Sequence, residues 1–144
     1  PQAIASDREP TALAFCEHSA RENGVSVRLS TSVLDWAETD GACGSDELGL
    51  FDAMIASDVL YEPQFAPAIA ALLEARLLPG GLILLADDTK RPYGERHREA
   101  LLERLSCTQD GSFEVLWRRP QQVAWDGKDF VVETILMQRQ TQID

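Results

Sequence analysis

The chain has 144 residues, 44% hydrophobic and 26% charged, which is enough for one domain with a real core. Its formal net charge of −11 argues against nucleic acid or an anionic membrane surface as a partner, because phosphate would be repelled rather than neutralised. Three cysteines without C-x-x-C spacing, Cys16, Cys43 and Cys107, exclude a disulfide framework and point to a reducing compartment, the cytoplasm or nucleus.

In chain order, "QAIAS" at 2–6 is a short apolar run ending at Asp7, the pattern of a buried strand. Pro10 suits a first helical turn, Leu13, Cys16 and Ala20 follow at helical spacing, and Gly24 terminates that helix. "VSVRLSTSVLDW" predicts a second strand, closing on Asp35 and Trp36. The acidic, glycine-containing stretch 37–50 reads as a loop.

"FDAMIAS" at 51–57 is the third strand, and it runs into Asp58, with Tyr61 three residues on. Phe65, Ile69, Leu72, Leu73 and Leu77 then mark one face of an amphipathic helix, which "PGG" at 79–81 stops. "LILLA" at 82–86 is a fourth strand, ending in Asp87 and Asp88, and a polar loop leads to a helix carrying Leu101, Leu102 and Leu105. "FEVLW" at 113–117 and "FVVETILMQ" at 130–138 predict an antiparallel hairpin about the turn "QQVAWDGKD". The alternation implies an α/β fold: a doubly wound, mostly parallel Rossmann-like sheet, helices on both faces, with a C-terminal antiparallel hairpin. No linker divides it, so residues 1–144 read as a single domain.

Four strands each end in an acid: Asp7, Asp35, Asp58, and Asp87 with Asp88. One such acid commonly caps the next helix, but four along the carboxyl rim of a parallel sheet suggest a binding crevice. Carboxylates there accept ribose hydroxyls or ligate Mg²⁺. Trp36 and Tyr61 add flat faces that suit an adenine ring or a cation and contribute nothing to a hard metal. His18 and His97, on the charged stretches "CEHSARE" and "ERHRE", read as solvated surface, and Cys43 as an inert thiol. Lys90 and Arg91 read as a solvated loop, although they could close over a ligand. No G-x-S-x-G elbow, H-E-x-x-H or Walker A loop occurs.

The order strand–Asp7, strand–Asp35–Trp36, "ASDVLY", "LLPGGLILLADD" and terminal hairpin resembles the class I, seven-strand S-adenosylmethionine-dependent methyltransferases across residues 2 to 138. Asp58-Val59-Leu60-Tyr61 is similar to the D-x-x-Y motif of that fold's protein lysine methyltransferases. The resemblance implies S-adenosyl-L-methionine as cofactor and a lysine of a protein substrate as methyl acceptor, with no metal. Position by position, Asp7 would hold the cofactor ribose with Arg8 beside it. Asp35 would accept from the adenine amino group, Trp36 would pack near the ring, and Ser57 would line the methionine side. Asp58 and Tyr61 would form the catalytic channel.

That family's first strand and its glycine-rich loop have no counterpart in these residues, and the chain opens on Pro1 rather than methionine. It therefore reads as a partial methyltransferase domain from the second strand onward, incomplete at its N-terminus and inactive alone. The unpaired central strand edge would favour a homo-oligomer, if the missing segment does not lie upstream. Two other readings stand beside this one. The first is a Mg²⁺-binding phosphoacceptor module using Asp58 or Asp87/Asp88. The second is a non-catalytic interaction domain that keeps the fold without the chemistry.

Overall fold

The computed structural model describes residues 2–36, 48–107 and 112–141. They fall into two units, dividing between Thr39 and Asp40.

In the first unit, β1 (Ala3–Asp7) leads through α1 (Pro10–Glu22) and a single 3₁₀ turn (Ser26–Arg28) to β2 (Leu29–Val33). The two strands pair in parallel from Ala3↔Leu29 to Asp7↔Val33. Pro10 opens α1, where its missing N–H costs nothing. Gly24 lies just past the helix end at φ +67, which a residue without Cβ adopts freely. Leu13 and Ala20 are buried, but Cys16, predicted on the same face, is exposed. β1 is also more open than its apolar run suggests, with Ile4 38% exposed. A two-stranded sheet with one helix covers one face, whereas a continuous apolar run implies cover on both.

In the second unit, β3 (Phe51–Ser57), α2 (Phe65–Arg76), β4 (Leu77–Asp88), α3 (Gly94–Ser106), β5 (Phe113–Trp125) and β6 (Lys128–Arg139) form a sheet of order β3-β4-β6-β5. β3 and β4 are parallel; β6 runs antiparallel to both β4 and β5. Burial alternates along β4 and β6: Ile83, Leu85, Asp87, Ile135 and Met137 face the helices and are 1% exposed or less. Against them lie Phe65, Ile69 and Leu73 of α2 and Leu101 and Leu105 of α3, each contributing about 2 kcal/mol of apolar burial. The other face is open in the described residues: Ile55 is 81% exposed.

Two boundaries differ from the sequence reading. α2 ends at Arg76, before "PGG", and β4 begins at Leu77. Phe51 pairs with Leu77 but Ala53 pairs with Leu82, so residues 78–81 bulge out of the ladder. Gly80 makes that bend at φ +80, and a Cβ on Gly81 would lie 2.8 Å from the Leu78 carbonyl oxygen. The hairpin is longer than predicted, because "QQVAW" is strand and the turn is the two-residue loop Asp126-Gly127. Both residues have positive φ, +48 and +68, as a type I′ turn requires. Pro120 is tolerated inside β5 because, among the described residues, β5 is an edge strand that pairs only with β6.

Candidate functional site

At the carboxyl end of the first unit, Asp7 Oδ1 accepts the Glu9 N–H at 2.8 Å and its carbonyl accepts the Leu34 N–H. The carboxylate thus shapes the turn "DREP", the helix-entry role an acid at a strand end commonly has. Arg8 forms an exposed ion pair with Glu9 at 3.7 Å. Pairing of Asp7 with Val33 brings Asp35 and Trp36, both half-buried, to the same end of β1–β2. Two hollows of this unit are lined by other residues: one of about 240 Å³ at the strands' amino ends, beside Ala3 and Leu29, and one of about 270 Å³ along α1 and β2.

In the second unit, Ser57 pairs with Ala86, so Asp58 and Asp87 occupy matching positions one residue further along neighbouring strands. Met54↔Ile83 and Ala56↔Leu85 face the helices, and an extended Asp58 would follow them inward beside Asp87. It does not. Asp58 turns at φ +58 while its N–H still donates to the Ala86 carbonyl at 2.8 Å. A left-handed Asp costs on the order of 1 kcal/mol, and two buried carboxylates side by side would cost more. The turn leaves the Asp58 side chain 52% exposed. Exposed Ser57 precedes it.

The segment after Asp58 is anchored from below. Leu60 is fully buried, and its carbonyl accepts a hydrogen bond from His97 Nδ1–H at 2.8 Å. Tyr61 presents its ring edge-on to buried Phe65, centroids 4.8 Å apart, and is itself 38% exposed. Across the strand ends, Arg91 Nη2 donates to Asp58 Oδ2 at 2.6 Å, and Arg91 Cζ stands 5.7 Å from the Tyr61 ring centroid. Asp58, Tyr61 and Arg91 therefore form one contiguous group. The sequence reading placed Arg91 in a solvated loop; it is half-buried and paired.

Asp87 faces inward, toward the helices. It is 1% exposed, and its Oδ2 accepts from Arg98 Nη1 at 2.7 Å. Burial pushes its carboxyl above the usual range, and the Arg98 hydrogen bond and charge pull it back. Arg98 also pairs with Glu133, which Arg118 holds in turn; that hydrogen bond is the main cause keeping Glu133 below the usual carboxylate range. Asp88 Oδ1 accepts the Lys90 N–H, so it shapes a turn. Asp87 and Asp88 thus serve structure, which corrects the reading of four equivalent rim acids.

His97 is a second correction. It is buried, whereas His18 is exposed as predicted. The available signal was spacing: 97, 101 and 105 lie four apart, so His97 shares the stripe of Leu101 and Leu105. Arg98 was missed for the same reason, since an arginine on an apolar stripe is expected to point out unless a buried acid awaits it. Cys43 lies outside the described residues. Among the described residues no group of three His, Cys, Asp or Glu side chains could hold a metal, and no helix is long and apolar enough to cross a membrane.

No protein-family model matches the sequence, and no curated protein matches it significantly. Solved structures match over nearly the whole chain. The (4+2)-cyclase SpnF matches at 17% identity with TM-score 0.68, over 98% of this chain and 67% of its own. The N-methyltransferase NodS from Bradyrhizobium japonicum WM9, in complex with S-adenosyl-L-homocysteine, matches at 16% identity and TM-score 0.65, over 96% and 66%. A SAM-dependent methyltransferase from Methanosarcina mazei matches at 13% and 0.68, over 96% and 82%. The chain has the Rossmann-like α/β fold of these proteins and spans about two thirds of the length of the first two. One of the three is named a cyclase, so the fold by itself does not state the reaction.

Proposed function

We propose that this chain is the greater part of an S-adenosyl-L-methionine-dependent methyltransferase whose acceptor is a lysine amine of a protein. The observation that carries this reading is the Asp58–Tyr61 group: a carboxylate and an aromatic face held together at a strand's carboxyl end, in a fold shared with proteins named methyltransferases. A half-exposed carboxylate beside a ring face suits a cationic or developing-cationic nitrogen. It offers little to a neutral hydroxyl acceptor.

The donor set of the first unit fits a nucleoside. Asp7 and Asp35 offer acceptors to ribose hydroxyls and the adenine amine, Trp36 offers an apolar face, and Arg8 stands beside Asp7. Ser57 would line the methionine side. When bound, the cofactor supplies a methyl group already activated on a sulfonium. This chain's own residues then have to position the amine and keep it neutral at the moment of attack. Asp58 orients the amine through an N–H bond, and the Tyr61 ring stabilises the positive charge that develops on nitrogen as the N–C bond forms.

Among the described residues no glycine-rich loop joins a strand to a helix, and the expected outcome is weak S-adenosylhomocysteine binding and no methyl transfer by this chain alone. Among the described residues β3 pairs on one side only, and a parallel strand from elsewhere in the protein or from a second copy would complete the sheet. The test is thermal unfolding of the full-length gene product with S-adenosylhomocysteine, followed by tritiated methyl transfer to lysine-containing peptides. A rise in Tm with label on lysine supports the reading. No rise at millimolar ligand overturns it, and a rise with Mg²⁺ instead would favour the phosphoacceptor alternative.

A further inference from the structure

Arg91 stands where a ligand cation would stand. Its guanidinium touches the two groups available to hold one, Asp58 Oδ2 at 2.6 Å and the Tyr61 ring at 5.7 Å. Those groups were formed at some cost. Asp58 accepts a left-handed φ that sends its carboxylate outward, and Leu60 and Phe65 sink into the core on either side of Tyr61. The Arg91 loop, by contrast, owes nothing to this contact. Thr89 N–H and Oγ1 both donate to the Val131 carbonyl at 2.8 Å, Lys90 N–H donates to Asp88 Oδ1, and Lys90 Nζ donates to the Asp129 carbonyl. Gly94 N–H donates to the Arg91 carbonyl, closing the turn into α3. The backbone is tied down on both sides, while the side chain keeps four rotatable bonds.

Water reaches the pair, since the Arg91 side chain is 29% exposed and that of Asp58 is 52%. Exchanging one cation for another there costs little desolvation. A neutral ligand gains nothing by entering, because it would leave Asp58 unpaired. We infer that Asp58 and Tyr61 form a cradle for alkylammonium groups and that Arg91 is its resident occupant, displaced by the ligand. Arg91 lowers the affinity for every cation by the fraction of time it fills the cradle and excludes uncharged ligands. The inference rests on the amine-acceptor reading only for the ligand's biological identity; the competition itself requires no methyl transfer.

The probe is n-butylammonium chloride, a lysine side chain without its backbone, titrated into the ¹⁵N-labelled chain while the amides of Asp58, Leu60 and Tyr61 are followed by NMR. Arg91→Gln is expected to tighten binding roughly tenfold, the gain for a site filled about nine-tenths of the time. Arg91→Lys should fall between wild type and Arg91→Gln. Asp58→Asn in the Arg91→Gln background should abolish binding, and n-butanol should shift nothing in any variant. The Val131 amide shift reports whether the loop keeps its fold, and Arg91→Lys carries the test if Arg91→Gln does not. Arg91 variants that bind n-butylammonium no more tightly than wild type overturn the inference, as does binding that survives loss of Asp58. Tighter binding by Arg91→Gln, together with no S-adenosylhomocysteine response from the full-length product, would keep the cradle and discard the methyltransferase. The opposite pattern would keep the methyltransferase and discard the internal competitor.

Discussion

Asp58–Arg91 and Asp87–Arg98 are the same two side-chain types at matching positions of adjacent parallel strands, with nearly equal separations of 2.6 and 2.7 Å. They differ in one backbone angle. Asp87 continues its strand, lands on the helix face and is sealed there with Arg98, the two side chains 0% and 3% exposed. Asp58 turns left-handed and stays in water. Identical chemistry therefore yields a structural member in one strand and an accessible group in the next, and the pairs still sense each other. Asp58 adds to the upward push on Asp87, and Arg91 opposes it. Burial decides which acid can exchange its partner.

The largest effect should come from breaking the sealed pair. Arg98→Ala leaves Asp87 buried without its cation and removes one partner of Glu133, a loss of about 3–5 kcal/mol. Urea unfolding at pH 7 measures it. The deficit should shrink on acidification, because Asp87, already pushed up by burial, then takes a proton. Replacing both partners, with Asp87→Asn and Arg98→Met, should recover most of the loss. An Arg98→Ala chain as stable as wild type would mean the two ion pairs do not differ as argued.

His97 joins the two regions, since it neighbours Arg98 on α3 and pins Leu60 beside Asp58. His97→Ala removes the Nδ1–H that donates to the Leu60 carbonyl and opens a small cavity, costing about 2 kcal/mol. Hydrogen exchange should accelerate at Leu60 and Tyr61 more than along β4. Uniform acceleration would show that His97 supports the whole unit and not this segment in particular.

The acid limb of stability sharpens the contrast by sign. Glu133 has its carboxyl lowered from 4.5, chiefly by the Arg118 hydrogen bond, so its stabilisation is present above 4.5 and lost as pH falls through the lowered value. Asp87 is raised from 3.8, so its contribution is full below 3.8 and is lost as pH rises through the raised value. Glu133→Gln should therefore cost up to about 1 kcal/mol at pH 7, progressively less as pH falls through the lowered value, and flatten the acid limb. Asp87→Asn should steepen it. Urea midpoints between pH 3 and 7 read both slopes, and slopes changing in the same direction would reject the assignment.

Much of this was legible in advance. Apolar runs and their terminal acids located β1 to β4, and alternating residues located the hairpin. The D-G dipeptide that sets its turn was hidden by reading "QQVAW" as loop, because polar residues and a proline on an exposed edge strand look like loop from sequence alone. The site was half legible. Asp58 and Tyr61 were singled out, but Asp87 was grouped with Asp58, since nothing in "IASDV" against "LLADD" announces a left-handed φ. Arg91 was invisible as a partner because the pairing depends on that angle. Open faces also escaped notice: an apolar residue such as Ile55, 81% exposed here, reads as core in any sequence.

The smallest expected effect on stability tests the angle itself. Asp58 holds φ +58 without the freedom of glycine, at a cost on the order of 1 kcal/mol. Its exposed ion pair with Arg91 returns at most a comparable amount. Asp58→Gly relieves the first and forfeits the second, so unfolding free energy should change by less than about 1 kcal/mol and not fall as it does for Arg98→Ala. Ammonium binding at the cradle should vanish in the same variant. A residue whose removal leaves the fold intact and the binding gone is placed for recognition. If Asp58→Gly instead destabilises the chain by several kcal/mol, the two acids are one kind of structural group, and the strand ends carry no accessible site.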